Sequence, residues 1–258
     1  MNKYKLILEY DGTNYSGWQA QKNAKSIQTT LIAAAEKFLE GPVDLQGAGR
    51  TDAGVHALGQ VAHLACARQI ACDRLRMGLN DLLPAGINIL SVENAPAHFH
   101  ARHSAIGRSY LYLIARRRTA FGKKYVWWVK DSINVSKLRQ ALELFRGFHD
   151  FKSFADKRME KDASTKVAVD VVELVESGRL IAVRIAGSHF LWKMVRRIIG
   201  VAVEASLGRF TPAQLQNMLK TYSDIPARHT APPSGLYLEK VLYEGDRLAA
   251  IRPPLFLS

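Results

Sequence analysis

Short strand-like runs alternate with amphipathic helical runs along this whole chain, and that alternation limits the possible folds more than any other feature. "YKLILEY" reads as a strand, and "SIQTTLIAAAEKFLE" as a helix with Ser26 at its N-cap. Ile27, Leu31, Ala34, Ala35 and Phe38 form its apolar stripe. Strands around Leu45 and Val61 follow, then a helix that Asp73 can cap, with Leu75, Leu79 and Leu82 inward, and "INILSVE" returns as a strand. Near Ala105, "AIGRSYLYLIARRR" alternates Tyr110, Tyr112 and Ile114 with Leu111 and Leu113. Ser136 can cap "SKLRQALELFRGF", and a turn at Ser177-Gly178 joins the strands "VAVDVVELV" and "RLIAVRIAG". "HFLWKMVRRIIGVAVEASLG" reads as the longest helix, ended by Gly208. Thr211-Pro212 opens a last helix, and "GLYLEKVLY" closes as a strand. The pattern is mixed α/β in two halves, residues 1–104 and 105–258, meeting near Phe99 to Ile106.

Charge narrows the partner. Thirty-six Lys and Arg against 23 acids give a formal net charge of +13 over 258 residues, a surplus that favours a polyanion through phosphate neutralisation and counterion release. With 48% hydrophobic residues the chain can fill a core, and it lacks the composition of a disordered protein. The opening "MNKYKLILEYDG" has no apolar run of signal-peptide length, and no stretch approaches the 18 apolar residues of a membrane-spanning helix. Cys66 and Cys72 are the only cysteines, at a spacing that suits neither a zinc knuckle nor a redox pair. They point to a reducing cytoplasm.

The chemistry concentrates in "QGAGRTDAGVHALGQVAHL", where Asp52 stands among glycines 47, 49 and 54, two residues after Arg50. A catalytic carboxylate needs close substrate approach, which the glycines permit. A cation nearby, Arg50 or another brought in by folding, favours the ionised form that a nucleophile or base requires. A lone Asp-x-Gly would more simply be a turn whose Asp bonds its own backbone. The string from Gly47 to Ala57 is much more specific than that.

Three other stretches carry candidate residues. "AHFHARHSAIGRSYLYLIARRR" holds His98, His100 and His103, but no acidic or cysteine ligand accompanies them, so a metal site is not expected. Its arginines and interleaved tyrosines suit RNA, with cations on phosphates and an aromatic ring on an unpaired base. Tyr112 reads as a core residue, and Tyr110 shares its face in a regular strand. In "FLWKMVRRIIG", Phe190, Met194, Val195 and Ile198 face the core, and the adjacent arginines point about 100° apart. Arg197 fits a solvated basic face, while Arg196 fits that reading and a pairing with a buried acid equally well. His149-Asp150 in "GFHDFKSFA" reads as a helix end, since no nucleophile motif accompanies it. No phosphate-cradling or dinucleotide-binding glycine loop is present, so no cofactor is expected.

Taken together, these strings resemble the tRNA pseudouridine synthase A family almost end to end. "YDGTNYSGWQAQ" is similar to its opening motif, "GRTDAGVHALGQVAH" to its catalytic motif, and "FHARHSAIGRSYLYLI" to its substrate loop and following strand. "LFRGFHDFKSFA", "FLWKMVRRIIG" and "APPSGLYL" follow in the family's order. The resemblance implies the pseudouridine synthase fold, two mixed α/β halves with antiparallel-rich sheets flanking a basic cleft, assembled as a homodimer without metal or cofactor. It implies that Asp52 is the catalytic aspartate, and that Arg50 helps extrude the target nucleotide. It further implies that Tyr110 stacks on the uracil, Arg196 pairs with Asp52, and the stretch Phe99, His100, Ala101, Arg102, His103 touches tRNA. The implied reaction isomerises uridine to pseudouridine at positions 38–40 of the anticodon stem-loop, after base flipping. One departure is visible: after Ser164-Thr165 the family usually has an Arg, whereas this chain reads Lys166-Val167-Ala168. A relative acting at other RNA sites, and a non-catalytic RNA-binding or chaperone module, are the alternatives. A metal-dependent nuclease built on the histidines is a distant third.

Overall fold

A computed structural model describes residues 1–21, 23–158 and 164–255. The chain divides into two compact units, Met1–Ile106 with Tyr237–Arg247, and Gly107–Leu236 with Leu248–Ser258. Each contains a mostly antiparallel sheet with helices.

In the first unit the order is β1 (Asn2–Tyr10), α1 (Ile27–Leu39), β2 (Asp44–Gly47), β3 (His56–Cys66), α2 (Cys72–Leu82) and β4 (Ile87–Asn94). β1 alternates as its sequence requires, burying Tyr4, Leu6, Leu8 and Tyr10. It lies between β3 and β4, antiparallel to both, and β2 pairs the far edge of β3. Ser26 closes a capping box with Thr29 at the start of α1. Phe38 lies beside Gly78 of α2, where a Cβ would stand 2.0 Å from its ring. α2 begins after Ala71, so Asp73 sits in its first turn instead of capping it, and Leu82 is exposed while Leu75 and Leu79 are buried. An acid within the first turn still opposes the helix dipole favourably.

In the second unit the order is β5 (Gly107–Ala115), β6 (Trp127–Trp128), α3 (Val135–Glu143), β7 (Gly147–Asp150), β8 (Lys166–Ser177), β9 (Leu180–Gly187), α4 (Met194–Ser206), α5 (Pro212–Lys220) and α6 (Ile225–Arg228). β9 is buried along its length, paired antiparallel with β5 and β8, and Gly178 turns the β8–β9 hairpin at φ 58°. Asn134, not Ser136, caps α3 through Lys137 N–H. His149-Asp150 is no helix end but part of β7, paired with Val167 and Lys166 of β8. That partner is remote in sequence, so no local pattern signals the strand. Thr211 forms the expected capping box with Gln214. The chain then returns through β10 (Leu236–Leu242), which runs parallel to β3 in the first unit, Tyr237 facing His56 and Leu238 facing Ala57. Among the described residues no helix is long and apolar enough to cross a membrane.

Candidate active site

The Asp52 loop follows β2 and leads into β3, and its shape is set by backbone contacts with the segment after β1 and with β3 itself. Trp18 N–H donates to Thr51 O (3.1 Å), Gly54 N–H to Tyr15 O (3.3 Å), and Ala48 N–H to Val61 O (2.7 Å). Val55 N–H returns to Asp52 O at 3.1 Å, turning the chain at Gly54, whose φ is 76°. Glycines make this approach possible. A Cβ on Gly12 would lie 1.9 Å from Val55 O, and one on Gly17 2.4 Å from Thr51 O and 3.1 Å from the Asp52 carbonyl carbon. The motif "YDGTNYSGWQ" is therefore the seat of the loop.

Buried side chains hold the remaining polar groups. Tyr10 and Thr51 share a hydroxyl hydrogen bond of 2.9 Å, and fully buried Gln60 donates to Gly49 O at 3.0 Å. Gly12 N–H donates to His56 Nδ1 (3.1 Å), and the His56 ring lies 4.9 Å from that of Tyr237 on β10. Burying these groups unpaired would cost about 1–3 kcal/mol each, so the network favours a single loop conformation. On this base Asp52 is half-buried and Arg50 is exposed. Tyr10, Gly12, Gly17 and Gln60 carried no role in the sequence reading. The glycine pair among the aromatics of the opening motif was the available signal.

The same unit holds the Phe99–His103 segment. Lys3 Nζ donates to Ala97 O and Phe99 O at 2.6 and 3.0 Å, and the Phe99 ring packs 5.5 Å from Tyr243. Ala101 is fully buried, its N–H on His63 Nδ1 and its carbonyl taken by the Tyr243 hydroxyl at 2.7 Å. It anchors the turn and leaves Arg102 and His103 exposed. His100 Nδ1 accepts from Arg102 N–H and His103 N–H at 3.2 and 3.4 Å, and its ring lies between those of His63 and His103. Among the described residues no group of three His, Cys, Asp or Glu is arranged to hold a metal.

Burial is the main cause that lowers the His63 and His100 pKa values; the neighbouring imidazole and Lys3 push the same way, and Asp44 opposes them. Both rings accept hydrogen bonds at Nδ1, which only the neutral form can do. A histidine whose folded pKa is depressed resists protons that the unfolded chain takes up below about pH 6.5. Stability is therefore retained at neutral pH and lost as the medium is acidified. Melting temperature should fall between about pH 7 and about pH 5, and more gently in His63→Asn, which keeps an acceptor but cannot titrate. An equal fall in both proteins would refute the assignment.

In the second unit, Tyr110 and Tyr112 share a face of β5 but not an environment. Tyr112 is fully buried, donates its hydroxyl to Pro232 O at 2.7 Å, and is closely approached by Gly235 of "APPSGLYL". Tyr110 is half-buried, its ring edge-to-face with Phe190 at 5.2 Å. α4 begins only at Met194, because Lys193 takes a left-handed conformation (φ 65°), so the residues from His189 onward are not its first turn as the sequence suggested. Arg196 is half-buried, and its Nε donates to Ala231 O at 2.8 Å while Ala231 N–H donates to Arg196 O at 3.0 Å. Arg197 is not on a solvated face. It is 6% exposed, donates to Ala155 O, and lies 3.9 Å from buried Asp156. The arginines do diverge, but Arg197 is the one beside a buried acid within this unit.

Residues 6–104 and 141–244 match the model of the tRNA pseudouridine synthase family. The chain belongs to that family, and is therefore an isomerase. Proteins called tRNA pseudouridine synthase A match at full length. The one from Geobacter sulfurreducens is 40% identical over 245 residues, 94% of this chain and all of the relative. Those from Aquifex aeolicus and Ehrlichia chaffeensis are 38% and 39% identical, covering 94% and 93% of this chain and all of each relative. A solved chain from a Cbf5-Nop10-Gar1 complex is 14% identical with a TM-score of 0.36, over 77% of this chain and 54% of its own, too slight a likeness to bear on the fold.

Proposed function

We propose that this protein isomerises uridine to pseudouridine in the anticodon stem-loop of tRNA, at positions 38–40, with Asp52 as the catalytic carboxylate. The observation that carries this reading is the Asp52 loop itself: one half-buried carboxylate among glycines, in a loop seated closely on the backbone of the opening motif. Full-length similarity to relatives named tRNA pseudouridine synthase A supports the substrate.

The chemistry follows from the reaction. The N1–C1′ bond of uridine breaks, the uracil turns, and C5 bonds to C1′ while the C5 proton leaves and N1 takes up a proton. Positive character at C1′ is what an ionised carboxylate stabilises or traps. Asp52 attacks C1′, or removes the C2′ proton to pass through a glycal; both routes keep it essential. Tyr110 stacks on the detached uracil, Arg196 fills the family's arginine role, and Arg50 takes the place of the extruded nucleotide. A base in a stem must first be unstacked, at a cost of a few kcal/mol, and phosphate contacts drawn from the +13 charge offset it. Phe99, His100, Arg102 and His103 contact the RNA on a loop that Ala101 anchors. The enzyme works as a homodimer in the reducing cytoplasm, without metal or cofactor.

The test is site mapping on unmodified tRNA, with carbodiimide labelling and primer extension after incubation in EDTA. Stops in the anticodon arm are the expected result. Stops elsewhere would keep the chemistry and refute the site, and no product on any tRNA would refute the substrate.

A further inference from the structure

Asp156 organises a group of cations that the Asp52 chemistry does not use. Its buried carboxylate receives Nε and Nη2 of Arg158 at 3.0 and 3.3 Å and Lys193 Nζ at 2.8 Å, with Arg197 at 3.9 Å. The hydrogen bond from Arg158 does most to hold its carboxyl well below the usual carboxylate range, Lys193 adding to it. Among the described residues, one negative charge thus faces three positive ones, at the N-terminal end of the 13-residue α4, where the helix dipole adds positive potential.

Three observations show that this is more than a solvated charge pair. Lys193 occupies the left-handed region, open to glycine but costly for a lysine, and such strain collects at functional sites. The Arg158 guanidinium lies 4.0 Å from the centre of the Trp192 ring, with Lys193 Nζ 5.6 Å from the same ring, while Trp192 stays 39% exposed. Part of the indole is therefore open to a ligand beside the two cations. Among the described residues, Nε of Arg197 is the one buried side-chain nitrogen or oxygen without a hydrogen-bond partner, so the cluster is not closed on itself.

We propose that Arg158, Trp192 and Lys193 form a contact platform for tRNA, with the two cations on neighbouring backbone phosphates and Trp192 fixing the plane of the guanidinium. The inference rests on the reading of the protein as a tRNA-modifying enzyme. The charge surplus selects the partner, because a chain of +13 draws in a polyanion. Asp156 keeps the cations gathered beside the Trp192 ring. No part of the reaction chemistry is assigned to these residues; they bind and orient.

The experiment measures affinity for unmodified tRNA by filter binding from about 50 to about 200 mM salt, for wild type, Arg158→Gln, Lys193→Gln and Trp192→Ala. Each glutamine variant should weaken binding about fivefold at the lower salt and make the slope of log affinity against log salt shallower by about 0.9, one phosphate contact. Trp192→Ala should weaken binding too, and Trp192→Phe should restore it. Melting temperature separates folding from contact, and Lys193→Arg should keep wild-type affinity and slope. Unchanged affinity and slope would overturn the platform, as would weaker binding with an unchanged slope and a lower melting temperature, the mark of a structural role. If wild type itself neither binds nor modifies tRNA, the reading beneath the platform fails. If wild type modifies tRNA and the variants match its binding, only the platform fails.

Discussion

Asp52→Asn should lower the rate of pseudouridine formation by at least about 10⁴-fold, the scale on which enzymes lose activity with their principal reacting group. Affinity for unmodified tRNA should change less than about twofold, because binding is dominated by phosphate contacts. The substitution is nearly isosteric, and main-chain hydrogen bonds at Thr51, Gly54 and Val55 and the Tyr10–Thr51 hydroxyl bond are untouched by it. Shape is kept while the charge needed at C1′ is lost. Tritium release from C5-labelled uridine reads the rate, since C5 loses its hydrogen only when the base rejoins. Filter binding reads the affinity. A variant keeping a tenth of wild-type turnover would remove Asp52 from the reaction, and one that failed to bind would show that the carboxylate shapes the loop.

How much of this was legible in the sequence depended on whether the cause was local. β1 was readable because Tyr4, Leu6, Leu8 and Tyr10 alternate, and Ser26 and Thr211 because capping is settled within four residues. Local signals misled where two short polar residues compete: Asn134 outranks Ser136 at α3, and Asp73 lies inside its helix. Remote partners left no local trace. β7 exists through pairing with β8, and the start of α4 is set back by the conformation of Lys193, whose ammonium reaches Asp156. The burial of Arg197 has the same origin, since 100° of helical phase places an arginine but does not say which acid waits there. For the site, "GRTDAG" singles out the carboxylate proposed as catalytic, but nothing in that string indicates that Gly12 and Gly17 seat its loop. That fact belongs to the approach of two backbones, and a sequence records it only as glycine.

Gly17→Ala should therefore lower pseudouridine formation about 100-fold without touching a catalytic group. Two effects coincide at this position. Gly17 has φ 92°, and an alanine held at positive φ costs roughly 1–2 kcal/mol. The added Cβ would also stand 2.4 Å from Thr51 O, where ordinary contact begins near 3.4 Å. The obstacle is main chain, so no side-chain rotation relieves it, and the strand of loop carrying Asp52 must move by about 1 Å. A displacement of about that size at a reacting group costs on the order of 100-fold in rate. The hydrogen bond from Trp18 N–H to Thr51 O transmits the shift, since it ties the residue after Gly17 to the one before Asp52. Gly41→Ala is the matched control, with no atom within 4 Å of its Cβ; it should leave the rate unchanged. Tritium release at saturating tRNA separates the outcomes. A fall in kcat with KM and tRNA affinity nearly preserved supports a displaced carboxylate in an otherwise intact protein. A Gly17→Ala enzyme as fast as wild type would show that the loop takes its position from somewhere other than this seat.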